Sequence, residues 1–125
     1  MSRLPEFEGH YYKIECLEFS DGSCPAGDFL DELEKPDRRK LDTLFERLAT
    51  TGRIDNREKF KKLEGSDQIW EFKSFQIRIP CFFTRDKRVI LLFGLVKKKN
   101  KYQKSEVERA EQYRSSYLQR PGNAR

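Results

Sequence analysis

The chain has few residues of the kinds that crosslink small secreted proteins or bind metals. Its three cysteines, Cys16, Cys24 and Cys81, are an odd number and show no C-x-x-C spacing. This pattern argues against a disulfide scaffold and a zinc site, and it favours the reducing cytosol. The single histidine, His10, argues against a nuclease that uses two histidines. We therefore expect neither a metal nor a cofactor.

Long apolar segments are also absent. The longest apolar run, residues 89–96, is eight residues long, whereas a helix that spans a bilayer needs about 20. The N-terminal stretch MSRLPEFEGH has no apolar segment after Arg3, so no secretory signal is expected. The glycines lack phosphate-loop spacing, and the sequence contains no nucleophile elbow and no cluster of metal ligands. These absences predict a cytoplasmic protein with no membrane partner.

The composition is that of one folded domain with a heavily charged surface. The 125 residues (15.0 kDa) suffice for a single core. Charged residues make up 38% and mean hydropathy is −0.89, but aromatic residues reach 13%, and disordered chains are poor in aromatics. We expect one domain over residues 11–118, with a flexible lead-in at residues 1–10 and a flexible tail at residues 119–125.

Charge is distributed unevenly along the chain. Residues 1–34 contain nine acidic and two basic residues, whereas residues 35–125 contain 24 basic and 12 acidic residues. The densest basic segment, residues 85–104, has eight Lys or Arg residues and Asp86 as its one acidic residue. Such a segment favours a polyanionic partner, most simply a nucleic acid, although a solvated basic face without a partner is an open alternative.

Hydrophobic periodicity predicts an α+β domain. Residues 11–19 are predicted to form a strand, followed by a turn at residues 20–27 and a helix at residues 28–34. A second helix carries the stripe Leu41, Leu44, Phe45 and Leu48 and ends at Gly52. The sequence shows no internal repeat. We expect this helical hairpin and a C-terminal helix to pack against one face of an antiparallel sheet.

The predicted sheet is built mainly from the second half of the chain. Strands are predicted at residues 60–63, 69–73, 75–84 and 89–96, and the last should be central because it is apolar throughout. Pro80 favours an edge position or a bulge for its strand. Ser105 and Glu108 are predicted to form the capping box of the final helix, with Val107, Ala110, Tyr113 and Tyr117 as its apolar stripe.

Strand alternation brings a set of charged residues to one side of this sheet. If the apolar faces of the two middle strands coincide, Glu71, Lys73 and Arg78 project together from the opposite side. The run Lys97, Lys98 and Lys99, with Tyr102, would reach the rim of the same surface. The simpler alternative is an exposed same-face pair, Glu71 and Lys73, with Arg78 covering apolar surface by its stem.

Such a surface has the chemistry to cleave a phosphodiester. Arg78 can bind a phosphate in bidentate fashion, and lysines close together lower one another's pKa until one can act as a base. Tyr102 can stack a nucleobase or position a phosphate. RNA supplies its own nucleophile, the 2′-OH, so the enzyme needs a base, a proton donor and cations that stabilise the transition state.

The order of motifs in residues 60–118 resembles the RelE superfamily of toxins, in particular the HigB-like, often phage-derived branch. The shared features are KKLEG, a short spacer and WEFK, then an arginine in an apolar strand, then ILLFGLVKKKNK before a helix with Glu and Ala. The strand and helical hairpin upstream are similar too. The chain departs from the branch in the segment KKKNKYQKSE, where other members commonly have Thr and then Lys-Thr-Pro. It also departs at Glu71, where some members carry a cation.

The resemblance implies a small ribonuclease that cleaves mRNA, commonly on the ribosome, and a cognate antitoxin of the helix-turn-helix type. By position, Lys73 and Arg78 match the family's strand lysine and arginine. The predicted catalytic residues are Lys73, Arg78, Lys98 and Glu71, and the predicted RNA-binding residues are Lys97, Lys99, Lys101, Tyr102, Arg85 and Arg88. The alternatives are a non-catalytic module of the same fold that binds RNA, the ribosome or a protein, and a phage-encoded accessory protein.

Overall fold

The computed structural model describes residues 7–98 and 101–121, which form a mixed sheet and three helices. The helices are α1 (Pro25–Asp31), α2 (Lys35–Thr51) and α3 (Lys104–Leu118). The strands are β1 (Phe7–Glu8), β2 (Lys13–Cys16), β3 (Phe60–Lys62), β4 (Trp70–Ser74), β5 (Ile77–Phe83), β6 (Arg88–Leu91) and β7 (Leu95–Val96). The predicted α+β class is confirmed.

The sheet order is β1-β2-β6-β5-β4-β3, with β7 pairing β5 beyond the end of β6. Strands β3 to β6 form the predicted antiparallel meander. The sheet is nevertheless mixed, because β2 runs parallel to β6, and this pairing places β6 at the centre as predicted. A parallel neighbour requires a long crossover, and the helical hairpin α1–α2 with strands β3 to β5 provides it.

The helices lie on both faces of the sheet, so the expectation that they pack on one face is wrong. Helices α1 and α2 cover a core that includes Phe45, Phe72 and Ile79. Helix α3 covers a second core on the opposite face through Ala110 and Tyr117. The composition of β5 and β6 explains why a helix is needed on the second face. Most successive residues of these strands are apolar and buried, so apolar side chains on both faces of the sheet must be shielded from water.

Pro80 lies in β5, which has neighbours on both sides, so the expected edge position is wrong. The missing amide hydrogen is tolerated because the neighbouring segment departs from the ladder at this point. Between the pairs Cys81–Leu91 and Arg78–Leu95, that segment has one residue more than β5 does. The bulge expected from Pro80 is thus present, but in the neighbouring segment.

The apolar run at residues 89–96 is divided by this bulge into β6 and β7. Gly94 lies at the break, where a Cβ atom would be 2.2 Å from the ring of Phe29 in α1. The chain passes this close to the helix because glycine has no side chain. After the break, β7 pairs with Ile77 and Arg78 at the start of β5. The basic residues that follow β7 therefore lie near the β4–β5 turn.

Two helix boundaries differ from the predicted ones. Helix α1 begins at Pro25, since proline suits the first turn of a helix. The capping box of α3 uses Gln103 and Glu106, whose carboxylate accepts a hydrogen bond from the Gln103 amide at 2.8 Å, and not Ser105 and Glu108. Gly52 ends α2 as predicted. No helix in residues 7–98 or 101–121 has the length and apolar character to cross a membrane.

Residues 7–10 of the predicted lead-in pack against the domain. Phe7 and Glu8 form β1, and Phe7 packs on Phe45 of α2 with ring centroids 6.0 Å apart. The turn after β1 docks on the end of α2, where the carbonyl of Ala49 accepts hydrogen bonds from the amides of Tyr11 and Tyr12. A Cβ atom on Gly9 would lie 2.4 Å from that carbonyl oxygen.

Replacing Gly9 by alanine should therefore destabilise the protein. The obstructing atom belongs to the backbone of α2, so relief requires the turn to move, at an expected cost of about 1–3 kcal/mol in the free energy of unfolding. Urea denaturation measures the effect. Glu8→Ala, at an exposed neighbouring position, is the control and should change the unfolding free energy by less than about 0.5 kcal/mol. Equal stability of the two variants would contradict the docking of this turn.

Candidate functional site

The β3–β4–β5 meander brings four charged residues together on the face that α3 covers. Lys73 is the partner of Arg78 across the β4–β5 hairpin, and Lys61 of β3 is the partner of Glu71. Directly opposed residues of antiparallel strands project to the same side. The predicted common face of Glu71, Lys73 and Arg78 is confirmed, and Lys61 joins them.

Lys61 is a residue that the sequence interpretation missed. The signal was available in the alternation of the short strand β3: Phe60 belongs to the core under α2, so Lys61 must point to the other side. The pairing of β3 with β4, which the sequence does not specify, decides that Lys61 lies opposite Glu71.

Arg78 is buried behind this surface and is bound to the protein itself. Its side chain is 4% exposed, and its Nε lies 3.8 Å from the Glu71 carboxylate. Its Nη1 donates hydrogen bonds to the carbonyl oxygens of Phe75 and Ile77, the latter at 3.0 Å. Arg78, which the sequence predicts to bind a phosphate, is therefore a buried group that fixes the hairpin turn and lies beside Glu71.

Glu71 and Tyr102 face each other at the edge of the site. Burial raises the pKa of Glu71, and the Tyr102 hydroxyl together with the charges of Lys61, Lys73 and Arg78 partly offsets this rise. Burial also raises the pKa of Tyr102, with Glu71 adding to the shift, so the phenol remains protonated. Tyr102 is thus a neutral phenol close to a carboxyl group that holds its proton more tightly than usual.

Lys73 has the opposite shift. Partial burial lowers its pKa, and the positive charges of Lys61 and Arg78 add to this effect, while Glu71 opposes it. The surroundings therefore make Glu71 a stronger base and Lys73 a stronger acid than the free side chains. Two titratable groups shifted in this way are typical of a site for proton transfer, although buried ion-pair networks show similar shifts.

An open pocket of about 230 Å³ lies beside Glu71. Ligand pockets for whole small molecules usually have roughly 300–1,000 Å³, so this one suits a single phosphate with its neighbouring atoms. Lys61 and Lys101 provide positive charge at its wall. The full set of lining residues is Lys61, Leu63, Glu64, Gly65, Glu71, Lys101 and Tyr102. Within the described ranges, no group of three His, Cys, Asp or Glu side chains could hold a metal ion.

The basic run after β7 is only partly available to a ligand. Lys97 Nζ lies 2.6 Å from Glu106 of α3 and 5.6 Å from the centroid of the Tyr102 ring. Lys97 therefore reaches the site as predicted, but in an ion pair that joins β7 to the start of α3. Lys98 is exposed to solvent. Lys99 lies outside the described residues.

Two predicted RNA-binding residues lie far from this pocket. Arg85 is in the β5–β6 turn, seven residues along the chain from Arg78 and roughly 20 Å away at the usual rise of a strand. Arg88 forms ion pairs with Glu15 at 3.1 Å and Asp86 at 3.0 Å. The structure does not bring either arginine together with Glu71, Lys73 and Arg78, because the two ends of β5 point in opposite directions.

Comparison with known proteins agrees with this architecture. Residues 28–115 match the model of the family described as "Phage derived protein Gp49-like (DUF891)". The match covers more than half of the chain. The chain belongs to the Gp49-like family. This is a RelE-like toxin family, so the resemblance inferred from the motifs of the Gp49-like chain is confirmed.

Among solved structures, the Gp49-like chain is similar to one from the RelB-RelE antitoxin-toxin complex of Methanococcus jannaschii. The identity is 14%, the TM-score is 0.49, and the similarity covers 57% of this chain and 82% of the other. No curated protein matches the chain.

The pairing of Tyr102 with Glu71 predicts a measurable pKa change. Tyr102→Phe removes the hydroxyl that stabilises the Glu71 carboxylate, so the pKa of Glu71 should rise further. An NMR titration that follows the Glu71 carboxyl carbon measures it. Tyr113→Phe is the matched control, since the Tyr113 hydroxyl accepts a hydrogen bond from Arg109 on α3. An unchanged Glu71 pKa in Tyr102→Phe would show that the two groups do not interact.

Proposed function

We propose that this Gp49-like protein is the toxin of a toxin–antitoxin module and cleaves mRNA as an endoribonuclease. The observation that carries the proposal is that Glu71 and Lys73, whose pKa values are shifted in opposite directions, share a sheet face with Lys61, and that Glu71 lines a pocket of about 230 Å³ with Lys61 and Lys101. Membership of a RelE-like toxin family supports the same activity. Translating ribosomes are the proposed place of cleavage, and a helix-turn-helix antitoxin is the proposed partner.

The proposed reaction uses the 2′-OH of the RNA as the nucleophile. Glu71 accepts the proton of the 2′-OH, whose oxygen then attacks the adjacent phosphorus. The bond from phosphorus to the 5′ oxygen breaks, and Lys73 donates a proton to that leaving oxygen. The products are a 2′,3′-cyclic phosphate and a free 5′-OH. No oxidant, reductant or further nucleophile is required.

The remaining residues of the site stabilise charge or hold position. Lys61 and Lys101 line the pocket, where they offset the charge that builds up on the phosphate in the transition state. Arg78 acts as a positioning residue, because its buried guanidinium lies beside Glu71. Lys98, which is exposed, contributes to binding of the RNA backbone. Charge-based binding of this kind weakens steeply as the salt concentration rises.

A comparison of two neighbouring lysines tests the activity. Lys61 faces the pocket, whereas Lys62 faces the other side of the sheet, with its Nζ 5.8 Å from the centroid of the Trp70 ring. Induced expression of the wild type should arrest growth and create new 5′ ends in translated messages, measured by primer extension. Lys61→Met should reduce cleavage about 100-fold, whereas Lys62→Met should cleave like the wild type. Absence of new 5′ ends with the wild type would refute the proposed activity.

The pH dependence of cleavage tests the roles of Glu71 and Lys73. Below the pKa of Glu71 the carboxyl is protonated and cannot accept a proton, and above the pKa of Lys73 the amine is neutral and cannot donate one. The single-turnover rate should therefore be bell-shaped in pH, with the acidic limb above the usual Glu range and the alkaline limb below the usual Lys range.

The two limbs should respond separately to substitution. Glu71→Gln should remove the acidic limb and Lys73→Met the alkaline limb, each with a rate loss of about 10²–10⁴. A merely structural role of these residues would lower the rate at every pH and leave both limbs in place. That result would assign proton transfer to other groups.

A non-catalytic RNA-binding protein of the same fold is the second candidate function. The observation in its favour is that Arg78 and Lys97 are engaged within the protein, Arg78 by backbone carbonyls and Lys97 by Glu106. Such a protein would bind RNA in a salt-dependent manner and arrest translation without producing new 5′ ends. The primer-extension experiment described above separates the two functions.

A further inference from the structure

Phe75 combines two features that are unfavourable for an isolated domain. It lies in the two-residue turn of the β4–β5 hairpin with a φ of 55°, in the left-handed region that bulky side chains rarely adopt. Its side chain is 72% exposed, the most exposed of the large hydrophobic side chains in the described parts of the chain. Strained residues of this kind persist where the surroundings fix them, and they are concentrated at functional sites.

The surroundings of Phe75 do fix it. The buried guanidinium of Arg78 donates hydrogen bonds to the carbonyls of Phe75 and Ile77, one on each side of Gln76. The Lys97 amide donates to the carbonyl of Gln76 at 2.7 Å, which ties the turn to the segment after β7. The ring is therefore presented to solvent by a turn held at three consecutive carbonyls, and a ligand would find it already in place.

Two lysines flank the exposed ring. The Nζ of Lys40 in α2 lies 4.2 Å from the ring centroid, and the Nζ of Lys59, just before β3, lies 5.7 Å from it. The backbone of Lys59 is connected to the site, because its carbonyl accepts a hydrogen bond of 2.8 Å from the Lys73 amide. An exposed aromatic ring beside cations is the arrangement with which proteins bind single-stranded RNA, the ring stacking on a base and the cations contacting phosphates.

A groove beside the ring has room for a base. Its volume is about 440 Å³, and Phe75, Gln76 and Val96 form one part of its wall. The Gln76 amide and the Asp37 carboxylate, which also line it, offer hydrogen-bonding groups for the edge of a base. Phe75 follows Glu71, which lines the pocket, by four residues, or roughly 13 Å of strand, so an RNA strand bound in the pocket would have to extend past the hairpin turn to place a base in this groove.

We propose that Phe75 is a stacking platform for a nucleobase of the bound RNA, with Lys40 and Lys59 as its phosphate contacts. This proposal rests on the proposed function, since it assigns a subsite to the same RNA. A protein segment is the other conceivable occupant. RNA is favoured because two lysines lie beside the ring, and Phe75 and Val96 are the exposed large hydrophobic side chains among the residues that line the groove.

Binding of an RNA that cannot be cleaved tests the subsite separately from catalysis. The probe is a fluorescent single-stranded oligonucleotide with 2′-O-methyl groups, which lacks the nucleophile, and its affinity is measured by anisotropy. Phe75→Leu keeps an apolar side chain but loses the aromatic ring, and Kd should rise about 5–150-fold, the range for one lost stacking contact. Phe75→Trp should bind at least as tightly as the wild type, and its indole fluorescence should be quenched by the RNA.

Val96→Ala is the matched control, because it removes exposed apolar surface from the same groove. Its Kd should stay within about threefold of the wild type. Lys40→Met should reduce the dependence of log Kd on log salt by about one phosphate contact, whereas Phe75→Leu should leave that slope unchanged. Circular dichroism and thermal unfolding of each variant establish that the hairpin remains folded.

The results distinguish this proposal from the proposed activity. If Phe75→Leu binds the probe as tightly as the wild type, or if Val96→Ala weakens binding equally, the stacking platform is refuted, even when the wild type cleaves RNA. If binding depends on Phe75 while the wild type produces no new 5′ ends, the subsite is supported and the nuclease activity is not.

Discussion

The burial of the Arg78 guanidinium is the constraint on which the geometry of the site depends. A guanidinium taken out of water must find acceptors, since an uncompensated buried charge is among the most destabilising features a protein can contain. Arg78 finds them in the carbonyls of the hairpin turn, and its Nε lies 3.8 Å from the Glu71 carboxylate, which provides an opposite charge. One buried charge thereby fixes the turn that carries Phe75, the position of Glu71 and the electrostatic surroundings of Lys73.

The two-layer arrangement of helices decides which charged residues of this sheet face are covered and which remain accessible. Helix α3 covers the middle of the sheet face through Ala110 and Tyr117, while the residues around Tyr102 approach the end of the face where Glu71 lies. Partial burial there is what shifts the two pKa values toward each other, since desolvation disfavours the charged form of both Glu71 and Lys73. A fully exposed pair of the same residues would have had ordinary pKa values.

Some basic residues of the chain are held in ion pairs within the protein, whereas others line surfaces that a ligand can reach. Arg88 and Lys97 are held in ion pairs with Glu15, Asp86 and Glu106 and contribute to the packing of β2 and α3 around the sheet. Lys61 and Lys101 line the pocket, and Lys40 and Lys59 flank the ring of Phe75. The density of basic residues along the sequence therefore does not by itself show which of them are accessible to a ligand.

The sequence by itself determined the α+β class, the family and the common face of Glu71, Lys73 and Arg78, because alternation in a strand fixes the side to which each residue points. It did not determine the burial of Arg78, the contribution of Lys61, the ion pair of Lys97 or the distance of Arg85 and Arg88 from the site. Those features depend on which strands are neighbours, on a bulge opposite Pro80 and on the layer formed by α3. Tertiary structure decides them, because pairing between distant segments sets both the distances between charges and their exposure to water.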